Sequence, residues 1–477
     1  MQLAGRFGWQ KSRRGQGRAL ACLAWLLGVC VAGAAYAQQD SSRPGWMPEN
    51  SIGTGLPLLA DPGGLRQSLW SKGITYQATL IEETLADVAG GARRGVAEDG
   101  RLEIDLDADL AKALGWKGAK LHASGYLIHG TAEPSAAYVG SIAAVSNIEA
   151  LPSVKLYELW LQQKSPDGKI SLRFGQLGAD TEFVTSKTAN LFMVSTVGWP
   201  NILAADLQSG GPAYPLATPG VRLGLYPNKR TAFLLGLFNG DSAAPGQGDP
   251  QQRDFYGVDF QLASPPFLIG EAQFRHGGKK AGSGLPGVVK LGAWAHSGSF
   301  SDQRYGTDGL PLASPLSTGA PVAHRGDQGV YAILDQTVYR PVDGEGGVSI
   351  FARASASPSD RNLIDLYADA GVTFSGFWRR RPDDSFGFAA AYSRISPDAQ
   401  AYDRDIAFYS GEPSPVRSYE ADFEATYSAQ VMSGWTLQPD VQFILHPKGG
   451  AANLYDQTGL RPLPNALVVG LRTTVSY

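Results

Sequence analysis

Much of this chain is written in a period of two. In its last twelve residues Leu467, Val469, Leu471, Thr473, Val475 and Tyr477 share one face, and Val468, Gly470, Arg472, Thr474 and Ser476 share the other. Successive side chains of a strand point to opposite sides, so such a stretch predicts a β-strand with one apolar and one mixed face. The same writing returns upstream. Leu102, Ile104 and Leu106 interleave with Glu103, Asp105 and Asp107; Ile170, Leu172 and Phe174 with Ser171, Arg173 and Gly175; Tyr419, Ala421 and Phe423 with Glu420, Asp422 and Glu424. Strand-like segments fall at 74–81, 101–109, 118–129, 154–163, 168–175, 219–226, 230–238, 254–262, 267–275, 288–297, 328–339, 346–355, 367–375, 385–394, 417–429, 434–445 and 466–477. That is one more than an even number, and a single-chain bacterial barrel with both ends in the periplasm needs an even one. Either one segment is spurious or another strand is missed, and the weakest region surrounds Pro265-Pro266, where a strand would be interrupted. The expectation is sixteen.

A soluble sandwich would alternate in the same way, with its polar face outward. The beginning of the chain, the terminal aromatic and the number of strands point to a membrane barrel. Arg6, Lys11, Arg13, Arg14 and Arg18 form a basic region without an acid. An apolar run from Ala19 to Ala34 follows, then Ala35-Tyr36-Ala37, an A-x-A cleavage pattern. Residues 1–37 are therefore predicted to be a signal peptide, cleaved before Gln38. A lipoprotein would need a small residue before Cys30, where Val29 stands. Export from the cytosol into the outer membrane of a Gram-negative bacterium is the expected localisation. Tyr477, an interface-loving aromatic at the C-terminus, is the expected handle for the outer-membrane assembly machinery, and lipid with lipopolysaccharide the expected surroundings.

Composition narrows the function. Both cysteines, Cys22 and Cys30, lie in the leader, so the mature chain has no disulfide, zinc–thiolate site or cysteine nucleophile. Five of the 41 Lys plus Arg go with the leader, leaving 36 against 44 Asp plus Glu, a net charge of −8. That balance argues against a nucleic-acid partner. No later apolar run is long enough for a transmembrane helix, which excludes a helical membrane protein but not a barrel. EF-hand, P-loop and dinucleotide patterns are lacking, and neither cofactor nor metal is expected.

The connections alternate in character. Ser165-Pro166-Asp167-Gly168 and Pro227-Asn228-Lys229 are tight turns, whereas 130–153, 176–218, 298–327 and 396–416 are long. Short periplasmic turns opposite long extracellular loops are the barrel arrangement. The longest, 176–218, is rich in aliphatic and aromatic residues and is expected to fold into the lumen as a constriction. The predicted organisation is a leader at 1–37, a periplasmic segment with a short helix at 38–72, and an all-β transmembrane antiparallel barrel at 73–477.

Leu65-Arg66-Gln67, Lys72-Gly73-Ile74, Leu114-Gly115-Trp116, Asn147-Ile148-Glu149-Ala150, Leu156-Tyr157-Glu158-Leu159-Trp160, Gly210-Gly211-Pro212-Ala213-Tyr214-Pro215 and Asp360-Arg361-Asn362 carry a resemblance. In their order and spacing the chain resembles the carbohydrate-selective porin (OprB) family, from about Leu65 to Tyr477. The resemblance implies a sixteen-stranded outer-membrane porin that passes glucose and similar sugars, and it brings no catalytic residues.

Selectivity residues are read from the strand registers. With Tyr157, Leu159 and Leu161 toward lipid, Glu158 and Trp160 turn inward; Arg173 and Arg222 turn inward on the strands flanking the long loop, which begins with Asp180 and Glu182. A sugar offers hydroxyls at its edge and C–H groups on its faces. Glu158, Arg173, Asp180, Glu182 and Arg222 are the expected hydroxyl partners, and Trp160 the expected stacking platform. Other readings stay open. Trp160 could belong to an interfacial girdle, and the arginines and acids could be paired charges that hold the loop. Lys290, Trp294 and His296 form a second inward group. Glu420, Asp422 and Glu424 are expected to be a solvated acidic wall, and inward Gly175, Gly224 and Gly292 to leave open space. An anion porin should show a ladder of inward Lys and Arg, which the scattered lysines do not form. A barrel enzyme would need an oriented nucleophile, yet none of the six histidines lies in a G-x-S-x-G-type motif. The runner-up is a general or anion-selective diffusion pore. Which sugar is preferred and whether the chain forms a homo-oligomer are left open.

Overall fold

A computed structural model describes residues 45–477 except 49, 132, 244, 279–283, 342–345 and 457–460; the expected leader lies outside the described residues. The strands are β1 (Ile74–Ala89), β2 (Gly95–Asp109), β3 (Ala119–Gly130), β4 (Ser153–Lys164), β5 (Ile170–Leu177), β6 (Thr218–Leu225), β7 (Thr231–Phe238) and β8 (Phe267–His276). They continue as β9 (Gly287–Gly306), β10 (Pro321–Tyr339), β11 (Gly347–Ala356), β12 (Ile364–Ser375), β13 (Ser385–Ile395), β14 (Tyr419–Met432), β15 (Trp435–Leu445) and β16 (Ala466–Ser476). Each pairs antiparallel with its sequence neighbours, and β1 pairs with β16 from Thr79↔Ser476 to Ala89↔Leu467, so the sheet closes with no free edge.

The period of two becomes an outside and an inside. Phe233, Leu235 and Leu237 on β7, Phe423 on β14, Val441 and Phe443 on β15, and Val469 and Leu471 on β16 are exposed. Between them lie the buried Asp422, Glu424, Asp440, Gln442 and Arg472. Large apolar groups outside and charges inside reverse the soluble pattern, and hydrocarbon is the medium in which that is stable. The chain also has no helix long and apolar enough to cross a membrane among the described residues.

The surplus strand of the sequence reading is 254–262, beside Pro265-Pro266 as expected. It pairs in no ladder. Its Tyr256, Val258, Phe260 and Leu262 are nevertheless all exposed. The segment runs along β4 beyond the point where β5 stops: Leu156 N–H donates to the Tyr256 carbonyl at 2.9 Å, and Gln176 Nε2 to the Gly257 carbonyl at 2.7 Å. It thus has the alternating sequence of a strand without the partners of one, and Phe255 and Asp259 are exposed as well. The long segment expected at 298–327 is shorter than predicted, because β9 and β10 extend to Gly306 and from Pro321 as a tall hairpin.

Near the chain's entry, a helix at Leu65–Ser71 precedes β1. Asp61 accepts from the N–H groups of Arg66 and Gln67 at 2.7 and 3.1 Å. Arg66 is only 3% exposed, its guanidinium 4.3 Å from the Tyr76 ring and 4.5 Å from the Tyr477 ring.

Candidate functional site

The register brings most of the sequence-selected residues together. Glu158 lies opposite Ser124, Trp160 opposite His122 and Gly175, Gln162 opposite Arg173, and Arg173 opposite Arg222. Two arginines facing each other across a strand pair repel, so a counter-charge is required. Glu182 supplies it from the loop between β5 and β6. Its carboxylate lies 2.9 Å from Arg173 Nη1, accepts from Arg222 Nη2 at 2.8 Å, and also contacts Arg222 Nε. The Gln162 carbonyl accepts from both arginines, at 3.3 and 3.2 Å. Arg222 is almost fully enclosed, whereas the side chains of Arg173 and Glu182 keep 15% and 19% of their surface open.

Trp160 is not an open stacking platform. The His122 ring stacks on it with centroids 4.7 Å apart, and the Arg173 guanidinium sits 3.7 Å from its centre. Its Nε1 donates to Glu158 at 3.1 Å, and the residue is 5% exposed. Nor is it in a lipid-facing girdle. The indole is a spacer, and it fixes the plane of Arg173. Gly175 makes room opposite: its φ is 140°, and a Cβ there would meet the Leu159 carbonyl oxygen at 2.2 Å.

Tyr157 corrects the register. A bulge at Tyr157 of β4 sets Glu158 opposite Ser124 but Leu156 opposite Gly125, so Tyr157 turns inward rather than toward lipid. Its hydroxyl donates to Asp180 at 2.6 Å, and Asp180 also accepts from the Tyr214 N–H at 2.9 Å. Asp180 therefore ties the two ends of the loop together, and burial pushes its carboxyl up to about 6 against the lowering by those two donors. Glu158 accepts from the Gly178 N–H at 2.9 Å and the Thr181 hydroxyl at 3.3 Å. Of the six chosen residues, Glu158 and Asp180 thus grip the loop, Trp160 and Arg222 brace, and Arg173 and Glu182 retain open surface.

Of the residues that hold the rest of the loop, Glu271, Asp335 and Arg353 escaped the sequence reading, and Glu424 was read in another role. Val184 N–H donates to Glu271 at 3.1 Å, and Thr188 N–H to Asp335 at 3.0 Å. Met193 and Val194 N–H donate to Glu424 at 2.6 and 2.9 Å. Arg353 donates to the carbonyls of Val184, Thr196, Val197 and Gly198 and is paired with Asp369. Lys290 is likewise engaged, donating to the Thr185 carbonyl at 2.7 Å, and His296 contacts the Gly240 carbonyl at 3.0 Å. The loop between β3 and β4 is held similarly, with Ile142 and Ala143 N–H on Glu420 at 2.7 and 2.8 Å. Glu420, Asp422 and Glu424 are therefore buried beneath two loops and do not form a solvated acidic wall. Glycine fails as a sign of open space too: Gly292 is where the Tyr331 ring packs, within 2.5 Å of a Cβ built there. Alternation did mark Lys290 and the three acids of β14 as inward. Which loop atom each would meet depends on loop conformation, which alternation does not encode.

A closed sixteen-stranded barrel with an apolar outer face and loops gripped by inward charges belongs to the outer-membrane porins. The chain is a member of the carbohydrate-selective porin, OprB family, whose family model matches residues 93–477. Porin B of Pseudomonas aeruginosa is 23% identical over 488 residues, 97% of this chain and 98% of that protein. A putative porin of Acinetobacter baylyi, QuiX, is 20% identical over 88% of this chain and 93% of its own length. The high-pH structure of Pseudomonas putida OprB matches with a TM-score of 0.76 at 21% identity, over 88% of this chain and 97% of that one.

Proposed function

We propose that the chain forms a water-filled pore for passive, energy-independent diffusion of small sugars such as glucose, with residues 176–218 as its constriction. The observation that carries this reading is Glu182 set between Arg173 and Arg222 at the loop's root. Its open edge offers guanidinium donors and a carboxylate acceptor side by side, which matches adjacent sugar hydroxyls. Because these groups already satisfy one another, exchanging a partner for a hydroxyl gains little, and a weak site suits flux better than a tight one. Arg173 and Glu182 are the sugar-contacting pair. Trp160 and Arg222 position them, and Glu158 and Asp180 hold the loop. No covalent step enters. The same proposal includes a cleaved leader at 1–37, a periplasmic segment at 38–72, and presentation of Tyr477 to the assembly machinery.

Liposome swelling tests it, comparing glucose with an amino acid and an organic anion of similar size. Arg173→Ala is the variant of choice, because Arg222 still neutralises Glu182 in it. Glucose preference should fall about three- to tenfold, within the net worth of one ordinary hydrogen bond, because the exchange of partners here gains little. Arg173→Lys should restore little, lacking the planar fork that lies on Trp160. Unchanged preference in a folded variant would sink the assignment. Equal rates for all solutes in the natural protein would make it a general pore.

A further inference from the structure

A second site lies at the barrel end where the chain enters, on the far side of Gln162 from the arginine pair. A cavity of about 560 Å³ opens there, lined by Trp70, Asp107, Lys112, Lys120, Gln162 and Lys164 among others. That is within the range of about 300–1,000 Å³ typical of small-molecule sites. Its contents are arranged rather than scattered. The Lys112 ammonium donates to the Trp70 carbonyl at 2.6 Å and stands 3.7 Å from the indole centre, so the helix Leu65–Ser71 and the short helix Leu110–Leu114 after β2 are joined at this wall. Trp70 itself stays 39% exposed. Asp107 pairs with Lys120 at 2.8 Å and meets His122 Nδ1 at 2.8 Å, and His122 is the ring that stacks on Trp160. The cavity wall is thus linked by contacts, through Asp107–His122 and through Gln162, to the site already described.

The charge balance identifies the ligand. The lining holds three ammonium groups, Lys112, Lys120 and Lys164, against Asp107 and Asp109. Asp107 is neutralised by Lys120, and Asp109 Oδ1 accepts from the N–H groups of Ala111 and Lys112 at 2.9 and 3.3 Å as a helix cap. Among the described residues neither Lys112 nor Lys164 has a carboxylate partner. An indole surface, a polar pair able to meet hydroxyls, and two cations without counter-ions describe the complement of a monosaccharide that carries a carboxylate. We propose that this cavity is a periplasmic subsite for sugar acids of the uronate or aldonate class, with Lys112 and Lys164 taking the carboxylate and the Asp107–Lys120 pair and Trp70 taking the sugar ring.

The inference rests on the porin reading, and one experiment separates the two. The full-length mature protein is reconstituted in planar bilayers, and block of the ionic current is titrated with sodium D-glucuronate, D-glucose and sodium acetate. Glucuronate should half-block at a concentration about tenfold below that of glucose or acetate, as one charge-assisted contact implies. Lys112→Gln with Lys164→Gln should abolish that advantage while leaving glucose swelling unchanged, and Lys112→Arg with Lys164→Arg should keep it. Lys164→Gln alone, which touches no contact of the helix, should lose part of it even if the double variant folds poorly. A glucuronate advantage that survives the glutamine variants, or acetate blocking as well as glucuronate, overturns the subsite. A barrel that passes glucose but shows no glucuronate advantage overturns it too and leaves the porin reading standing, whereas one that excludes glucose overturns the porin reading.

Discussion

A buried carboxylate reports its surroundings through its proton. Glu149, in the loop between β3 and β4, accepts from the Ser135 N–H at 3.0 Å and the Ser135 hydroxyl at 2.5 Å. Those donors favour the anion, yet burial, helped by Asp99 and Glu133 nearby, outweighs them and lifts the carboxyl to about 8. The folded loop therefore holds a proton that the unfolded chain, with a carboxyl near its ordinary 4.5, releases. The contribution of this group to stability is full below that ordinary value and is lost as pH rises through about 8. Thermal unfolding followed from pH 5 to pH 9 should show the natural protein losing stability across this window, and Glu149→Gln should flatten the slope. A variant with the same slope would place the proton elsewhere. At this scale the sequence was informative about type and direction. Glu158, Arg173, Glu182 and Arg222 were legible as one cluster because strand alternation and loop anchorage are local. Tyr157 was not, since one bulged residue reverses a face and leaves no mark in the pattern.

At the scale of elements, the loop between β5 and β6 is held by single side chains that each satisfy several backbone groups. Arg353 is the extreme case, with four loop carbonyls and Asp369 around one guanidinium. Carbonyls turned toward each other at one point repel, so the loop's path there needs a cation. Arg353→Met keeps the bulk and removes the donors. It should loosen the loop and leave the barrel folded, seen as larger open-channel current noise and faster proteolysis within 184–198. A quiet channel with a protected loop would show that apolar packing of Phe183, Phe192 and Ile202, all nearly inaccessible, suffices. The segment 254–262 belongs to this scale as well. Its apolar alternate residues are outward as a strand's would be, but it lacks ladder partners and residues between them, Phe255 and Asp259, are outward too.

For the whole molecule, closure is the decisive event, because a membrane barrel with an open seam leaves a row of unpaired peptide groups in hydrocarbon. The β1–β16 ladder closes the seam, and beside it Arg66 packs against both the Tyr76 and Tyr477 rings. Removing that cation should weaken closure by about 2 kcal/mol, from two cation–π contacts at a poorly solvated site. Arg66→Ala should lower the temperature at which the folded form vanishes in heat-modifiability gels, and Arg66→Lys should recover only part, since an ammonium lacks the planar face with which a guanidinium stacks on a ring. An unchanged midpoint would mean that the ladder alone fixes the seam. By itself, the sequence determined that this chain is a membrane barrel with an even number of strands, where those strands lie to within a few residues at most ends, and which charges turn inward; that 254–262 is the segment to drop, leaving sixteen, came from the ladder. Those features follow from a two-residue period and from exclusion of polar groups by lipid, both written locally along the chain. The tertiary structure alone decided that Trp160 is enclosed, that the β14 acids grip loops, and that Trp70 and Lys112 meet Lys164 around one cavity. These depend on residues far apart in sequence arriving at one place, and a local pattern carries no information about distance through space.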